Sequence, residues 1–74
     1  MAMERFGEKL RVLRQRRGMT QQQLAMQLGF NHAHENRLES GKRKPHAELL
    51  IRLSYLFGVS IDVLVKDELE LPPE

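Results

Sequence analysis

Glycine positions limit the possible fold of this chain more than any other feature. Gly18, Gly29, Gly41 and Gly58 each end a predicted helical segment, and in three of these segments apolar residues recur every three or four positions, the spacing of one helical face. Glycine readily adopts the left-handed conformation that terminates α-helices. No segment has the alternating pattern of a half-buried β-strand, and there is no internal repeat. The sequence therefore predicts an all-α fold built from short helices.

Five helices are predicted between these boundaries. In the first, from about Met3 to Arg17, the residues Phe6, Leu10 and Leu13 share one face. The other four are expected at about 20–28, 32–40, 46–57 and 60–65. Helices this short are not stable alone in water, so they must pack against one another.

The second and third helices are separated by a single tight link. Thr20 lies three residues before Gln23, the spacing of a capping box, and Asn31 is a favoured N-cap residue. The link itself is the tripeptide 29–31, which contains glycine. Two short helices joined in this way form the helix-turn-helix pattern.

Charge is distributed unevenly along the 74 residues. The last eight, Asp67–Glu74, hold four acids and no base, whereas residues 1–66 hold twelve bases and six acids, a net charge of +6. We therefore expect a domain at 1–66 and an acidic tail at 67–74. A positive domain is either simply soluble or has an anionic partner, and charge alone does not separate these two.

Several functional classes are disfavoured. The chain has no cysteine, no phosphate-binding glycine loop and no set of serine, histidine and aspartate on facing elements, so an enzyme is not expected. His32 and His34 would point about 200° apart on a helix, so neither a metal site nor a cofactor is expected. There is no run of about 20 apolar residues and no secretory signal, so we expect a cytoplasmic protein.

The third predicted helix is unusually polar. Leu38 is its one large apolar residue, and most of the others carry hydrogen-bonding groups. Asn pairs with adenine and Arg with guanine in the major groove of DNA, which is wide enough to admit a helix. Gln21 and Gln22 lie at the start of the second helix, where free N–H groups suit a phosphate. The cations of Lys42, Arg43 and Lys44 follow the third helix.

A polar helix face is more often simply solvated, and its position in a helix-turn-helix followed by a basic loop is what favours nucleic acid. The motif GMTQQQLAMQLGFNHAHENRLESGKRKP, residues 18–45, resembles the helix-turn-helix of the phage repressor and Cro class, also called the Xre family. The matching residues are Gly18, Met19, Thr20, Gln21, Leu24, Ala25, Leu28, Gly29, Leu38, Glu39, Gly41 and Pro45. The resemblance extends over about residues 5–66 and implies a compact five-helix, lambda-repressor-like domain.

The resemblance also implies a function and roles for individual residues. It implies a small transcriptional regulator, with repression as the expected sign, that binds double-stranded DNA sequence-specifically through residues 32–40. Base contacts are implied for His32, Ala33, His34 and Arg37. Backbone contacts are expected from Gln21, Gln22, Asn36, Lys42, Arg43 and Lys44. Glu39 is implied to be structural, with Arg14 as its partner.

Three residues depart from the family pattern. Glu35 occupies a position that the family fills with a buried Ile or Val, so the helix must turn to expose it, an arginine must pair with it, or the site is loosened. Burial of a lone carboxylate is costly or forces protonation. Asn36 replaces the usual Ser or Thr, and His46 replaces a commoner cap residue, with a small expected effect.

Two further interactions are expected. Domains of this kind bind DNA as two-fold dimers, and the expected dimer surface comprises Ile61, Val63, Leu64, Val65, Leu69 and Leu71. An alternative function is a protein-binding module, such as an antitoxin or adapter, whose tail engages a partner protein. The tail is equally able to fold back on its own chain.

Overall fold

Five α-helices make up the computed structural model, which describes residues 3–74. They are α1 (Phe6–Arg16), α2 (Gln21–Leu28), α3 (His32–Ser40), α4 (Ala47–Phe57) and α5 (Ile61–Val65), and no strand occurs in residues 3–74. The prediction of an all-α fold is confirmed. Within the same residues, no helix is long and apolar enough to cross a membrane.

Helix α1 begins three residues later than the sequence predicted. Met3 has a positive φ of 67°, which a continuing helix does not allow. Its N–H donates to the carbonyl of Val65, and the N–H groups of Glu4 and Arg5 donate to the carboxylate of Asp67. The segment before α1 is therefore bonded to the chain that follows α5.

The other four helices begin at side-chain caps, and those at Thr20 and Asn31 were expected from the sequence. The capping residues are Thr20, Asn31, His46 and Ser60. Thr20 and Gln23 form the complete capping box. His46 takes the place of a Ser or Thr cap because its Nδ1 accepts the N–H of Leu49.

All five helices contribute to one apolar core. The buried large apolar residues are Phe6, Leu10, Leu13, Leu24, Leu28, Leu38, Leu49, Leu53, Phe57 and Leu64. Leu64 had been expected at the dimer surface, but its side chain is fully buried in its own chain. The sequence prediction for this residue is wrong, because the short helix α5 turns Leu64 inward.

A close backbone contact seats α3 on α1. Gly7 is buried, and a Cβ atom placed on it would lie 2.2 Å from the carbonyl oxygen of Glu39. Glycine inside a helix normally lowers its stability, so the residue here is explained by the space that α3 requires.

Glu35 lies in the same contact between α1 and α3. Its exposed fraction is 0%, and neither carboxyl oxygen has a hydrogen-bond partner. The nearby Arg14 binds Glu39 instead. Of the outcomes that the sequence left open, exposure of Glu35 and its pairing with an arginine are therefore both excluded.

Burial raises the pKa of Glu35 to about 8. The Glu39 carboxyl adds to this rise, although it does not meet the geometry of a hydrogen bond to Glu35, and the charge of Arg14 opposes it. At neutral pH the buried Glu35 side chain is therefore mainly the uncharged acid, which is far less costly to bury than a carboxylate.

The acidic tail lies against α1. Lys9 is 1% exposed, and its ammonium donates to the carbonyls of Val63, Lys66 and Leu69 at 2.7–2.8 Å. Three acceptors satisfy all three of its N–H donors. Outside this anchor, the Arg5 side chain binds Glu70. Of the two arrangements left open for the tail, the structure has the folded-back one.

We expect Gly7→Ala to destabilise the domain by about 1–3 kcal/mol, because the added methyl group overlaps the backbone of α3. Alanine would otherwise stabilise a helix by about 1 kcal/mol relative to glycine. Thermal denaturation followed by circular dichroism measures the change. Gln15→Ala, on the exposed surface of α1, is the matched control and should change stability little. An unchanged or raised melting temperature for Gly7→Ala would contradict the close contact.

We expect Glu35→Ile to raise the melting temperature at pH 7, because an apolar side chain removes the buried polar group. The effect of pH has a defined sign. The folded chain retains a proton on Glu35 that the unfolded chain releases between about pH 4.5 and 8. The free energy of unfolding therefore falls as the pH rises through this window.

The pH effect is measured as the difference in melting temperature between the wild type and Glu35→Gln, whose side chain does not titrate. From pH 5 to pH 8.5, the melting temperature of the wild type should fall relative to that of Glu35→Gln. A difference independent of pH would show that Glu35 has an ordinary pKa.

We expect Lys9→Met to destabilise the domain by about 3 kcal/mol or more, because three carbonyl groups lose their buried donor. Hydrogen exchange should also accelerate at Arg5, whose N–H is bound to the tail. Glu70→Gln is the control, since it weakens an exposed ion pair and should leave the melting temperature nearly unchanged. Equal effects of the two substitutions would contradict the role of Lys9 as the anchor.

Candidate nucleic-acid interface

Helix α3 has two chemically different sides. Its inward side carries the buried residues Glu35, Leu38 and Glu39. Its outward residues His32, Ala33, Asn36, Arg37 and Ser40 are exposed. Three of the four residues expected to contact bases therefore lie on the exposed side. Asn36, which was expected to contact the DNA backbone, lies on the same side.

His34, the fourth residue expected to contact bases, lies at the border of this surface. Its ring is half-buried and stacks on Phe30, with the ring centroids 4.2 Å apart. Burial lowers the pKa of His34, and the nearby positive charges of Arg43, His46 and Arg37 lower it further. His34 is therefore mainly neutral at neutral pH, and much of its surface is used in packing against the turn between α2 and α3.

Gln21, the first residue of α2, connects the two helices of the motif. Its Nε2 donates to Glu39 at 3.2 Å, and its Oε1 accepts from Asn36 at 3.2 Å. The same Oε1 lies 2.9 Å from Nε2 of His32, which must carry the proton because the amide oxygen only accepts. One amide group therefore sets the orientation of two outward side chains of α3.

Glu39 joins α3 to α1 through Arg14, and the predicted pairing of these two residues is confirmed. Its oxygens accept from Nε and Nη2 of Arg14 at 2.7 and 3.1 Å. Burial alone would raise the pKa of Glu39, but the hydrogen bonds from Arg14 and Gln21 lower it below its usual value, and the adjacent carboxyl group of Glu35 lowers it further. Glu39 is thus an ionised structural carboxylate, with Arg14 also bound to the carbonyl of Met19.

The basic loop after α3 is held close to the recognition surface. Backbone N–H groups of Lys42 and Arg43 donate to the carbonyl of Arg37 at 3.0 and 3.2 Å. The side chains of Lys42, Arg43 and Lys44 are exposed, and in the described part of the chain none of them pairs with an acid. The structure therefore places three unpaired cations at the C-terminal end of α3.

The N-terminus of α2 offers backbone donors beside α3. The Thr20 side chain accepts the N–H of Gln23, which leaves the N–H groups of Gln21 and Gln22 without a capping oxygen. Gln22 is also exposed. These donors suit an anion, as the sequence analysis expected.

Arg11 belongs to this region and was missed by the sequence analysis. Its guanidinium is close to Glu39, with Nε 3.7 Å from Oε1, and its side chain is 54% exposed. The available signal was its spacing, because Arg11 lies one helical turn before Arg14 on the side of α1 that faces α3. This spacing indicates a role for Arg11 only once the contact between α1 and α3 is known.

The chain is similar to several proteins that are named as transcriptional regulators. It is 39% identical over 61 residues to the prophage-derived, uncharacterised regulator YonR of Bacillus subtilis, covering 82% of this chain and 56% of that protein. It is 43% identical over 63 residues to the transcriptional activator BcrR of Enterococcus faecalis, covering 85% of this chain and 31% of that protein. The chain thus spans about half or less of these relatives.

A solved structure of a transcriptional regulator from Listeria innocua has the same fold. It superposes with a TM-score of 0.78 at 35% identity and covers 93% of this chain and 64% of the other. Residues 5–66, which include α2, α3 and the turn between them, match the family described as helix-turn-helix domain. The chain therefore belongs to the helix-turn-helix domain family.

Proposed function

We propose that this chain is the DNA-binding unit of a transcriptional regulator and inserts α3 into the major groove of double-stranded DNA. The observation that carries the proposal is the division of α3 into a buried side and an exposed, hydrogen-bonding side. A helix fixed by its inward side on α1 and α2 presents the other side at a defined angle. Such presentation is what base readout by a helix requires.

Base and phosphate contacts are proposed at different places. His32, Ala33 and Arg37 read base edges, and Arg37 is the strongest candidate because a guanidinium binds guanine through two hydrogen bonds. His34 contributes at the edge of this set, since it is partly engaged with Phe30. The phosphate contacts come from the start of α2, from Asn36 and from the basic loop, namely Gln21, Gln22, Asn36, Lys42, Arg43 and Lys44.

Two copies are proposed to bind one operator, with half-sites about 34 Å apart. Of the residues expected at the dimer surface, Ile61 and Leu69 are exposed and Val63, Val65 and Leu71 are half-buried. Exposed apolar residues also occur on α4, where Ile51 and Tyr55 lie one turn apart. These residues extend the proposed dimer surface beyond the set chosen from the sequence.

The protein-binding alternative is not favoured. It relied on a free acidic tail, whereas Leu71 packs against the core and the carbonyl of Pro72 accepts from Arg16. We also propose that the protein is cytoplasmic and is not an enzyme. The sign of regulation stays a prediction, since repression was expected and one relative is named an activator.

The proposal predicts different effects for two substitutions, once a bound sequence has been selected from a random DNA pool. Arg37→Ala should cost about 1–3 kcal/mol on the selected sequence and relax the preference at one base pair. Lys42→Ala should weaken binding to all duplexes similarly and reduce the slope of log K against log salt by about 1. Fluorescence anisotropy with labelled duplexes measures both effects.

Lys66→Ala is the matched control, because Lys66 is a solvent-exposed cation beyond α5 that pairs with Asp62. It should leave both the affinity and the base preference nearly unchanged. Failure of the wild type to bind any duplex at low salt would contradict the proposed function. An effect of Arg37→Ala equal on all sequences would contradict the assignment of base readout to Arg37.

A further inference from the structure

Arg11 lies beside the candidate interface but has no role in the contacts assigned so far. It is on α1, outside the helix-turn-helix, and its side chain is more than half exposed. The 3.7 Å between its Nε and Oε1 of Glu39 is within ion-pair distance but too long for a good hydrogen bond. The guanidinium N–H donors of Arg11 are therefore available to another acceptor.

The positive charge of Arg11 is not balanced by the ionised acids around it. Glu39 is the nearby carboxylate, and Arg14 already binds both of its oxygens. Glu35, whose charge would act on Arg14, is buried and mainly uncharged at neutral pH. Two arginines thus face one ionised carboxylate, and the more exposed of the two supplies a net positive charge to the surface.

This charge lies close to Gln21. Nε2 of Gln21 is 3.2 Å from the same Glu39 oxygen that Arg11 approaches, so the two nitrogens are at most about 7 Å apart. Gln21 is also the first residue of α2, where backbone N–H groups lack a capping oxygen. One phosphate group could therefore contact the Arg11 guanidinium and the start of α2 together.

We propose that Arg11 is a further DNA-backbone contact, which binds a phosphate jointly with Gln21 and the N-terminus of α2. This inference rests on the proposed function. It extends the phosphate-binding surface from the helix-turn-helix onto α1.

The alternative role for Arg11 is purely structural, as a second partner of Glu39. The two roles differ in what they change. A phosphate contact releases counterions from DNA, so it contributes to the salt dependence of binding. A structural ion pair contributes to thermal stability and leaves the number of released counterions unaltered.

The experiment measures binding of the full chain to a mixed-sequence duplex across a range of salt concentrations, so no operator sequence is needed. Arg11→Ala should reduce the slope of log K against log salt by about 0.9, which corresponds to roughly eight-fold weaker binding at 0.1 M salt. Arg11→Lys retains the charge and should restore most of the slope. Arg16→Ala is the control, because Arg16 is on the tail side of α1 and bound to Pro72.

The outcomes separate this inference from the proposed function. Equal slopes for the wild type, Arg11→Ala and Arg16→Ala, with a reduced slope for Lys42→Ala, would overturn the role of Arg11 and leave DNA binding intact. Absence of salt-dependent binding in the wild type would overturn both. Circular dichroism of each variant establishes that it is folded, and a lower melting temperature for Arg11→Ala with an unchanged slope would assign the structural role instead.

Discussion

The ionised carboxylate of Glu39 is the interaction on which the arrangement of the site depends. It accepts from Arg14 of α1 and from Gln21 of α2, while its own helix is α3. Three helices therefore meet at one buried charge. Gln21 in turn binds Asn36 and His32 on the outward side of α3. The orientation of those outward side chains is thus linked, through Gln21 and Glu39, to the packing of helix α1. Hydrogen bonds to a charged group are stronger and more directional than those between neutral groups, which suits a contact that must fix an angle.

Glu35 shows that this arrangement tolerates a second acid at a cost in stability. An uncharged carboxyl group without a hydrogen-bond partner is less favourable than the aliphatic residue usual at such positions, but far less costly than a carboxylate. The helix keeps its place because its remaining contacts are extensive. Leu38 is buried in the core, and Gly7 lets the α3 backbone approach α1 closely. The fold therefore places the recognition surface by backbone contact and by one ionised network, and it leaves the neighbouring acid neutral.

The helices could be predicted from the sequence because their ends are set by local chemistry. Thr20, Asn31 and Ser60 are caps, and the left-handed glycines that follow helices need no tertiary partner to be recognised. The pairing of Arg14 with Glu39 could be predicted from the resemblance to a known family. Features that depend on tertiary packing were not predicted. Lys9 was not recognised as a buried anchor, Leu64 was assigned to the surface, and Arg11 had no role until α1 and α3 were seen together. The partial burial of His34 likewise depends on the position of Phe30.

The central claim is that the outward side of α3 contacts DNA while its inward side stays fixed on α1 and α2. Chemical-shift mapping of the ¹⁵N-labelled chain, titrated with a short duplex at low salt, tests this claim most directly. The account predicts that shift changes will concentrate at His32, Ala33 and Arg37, at the first turn of α2 and at residues 42–44. The tail at 67–74 should change little. Shift changes centred on the tail or on the exposed side of α4, with α3 unaffected, would contradict the account, as would the absence of any change.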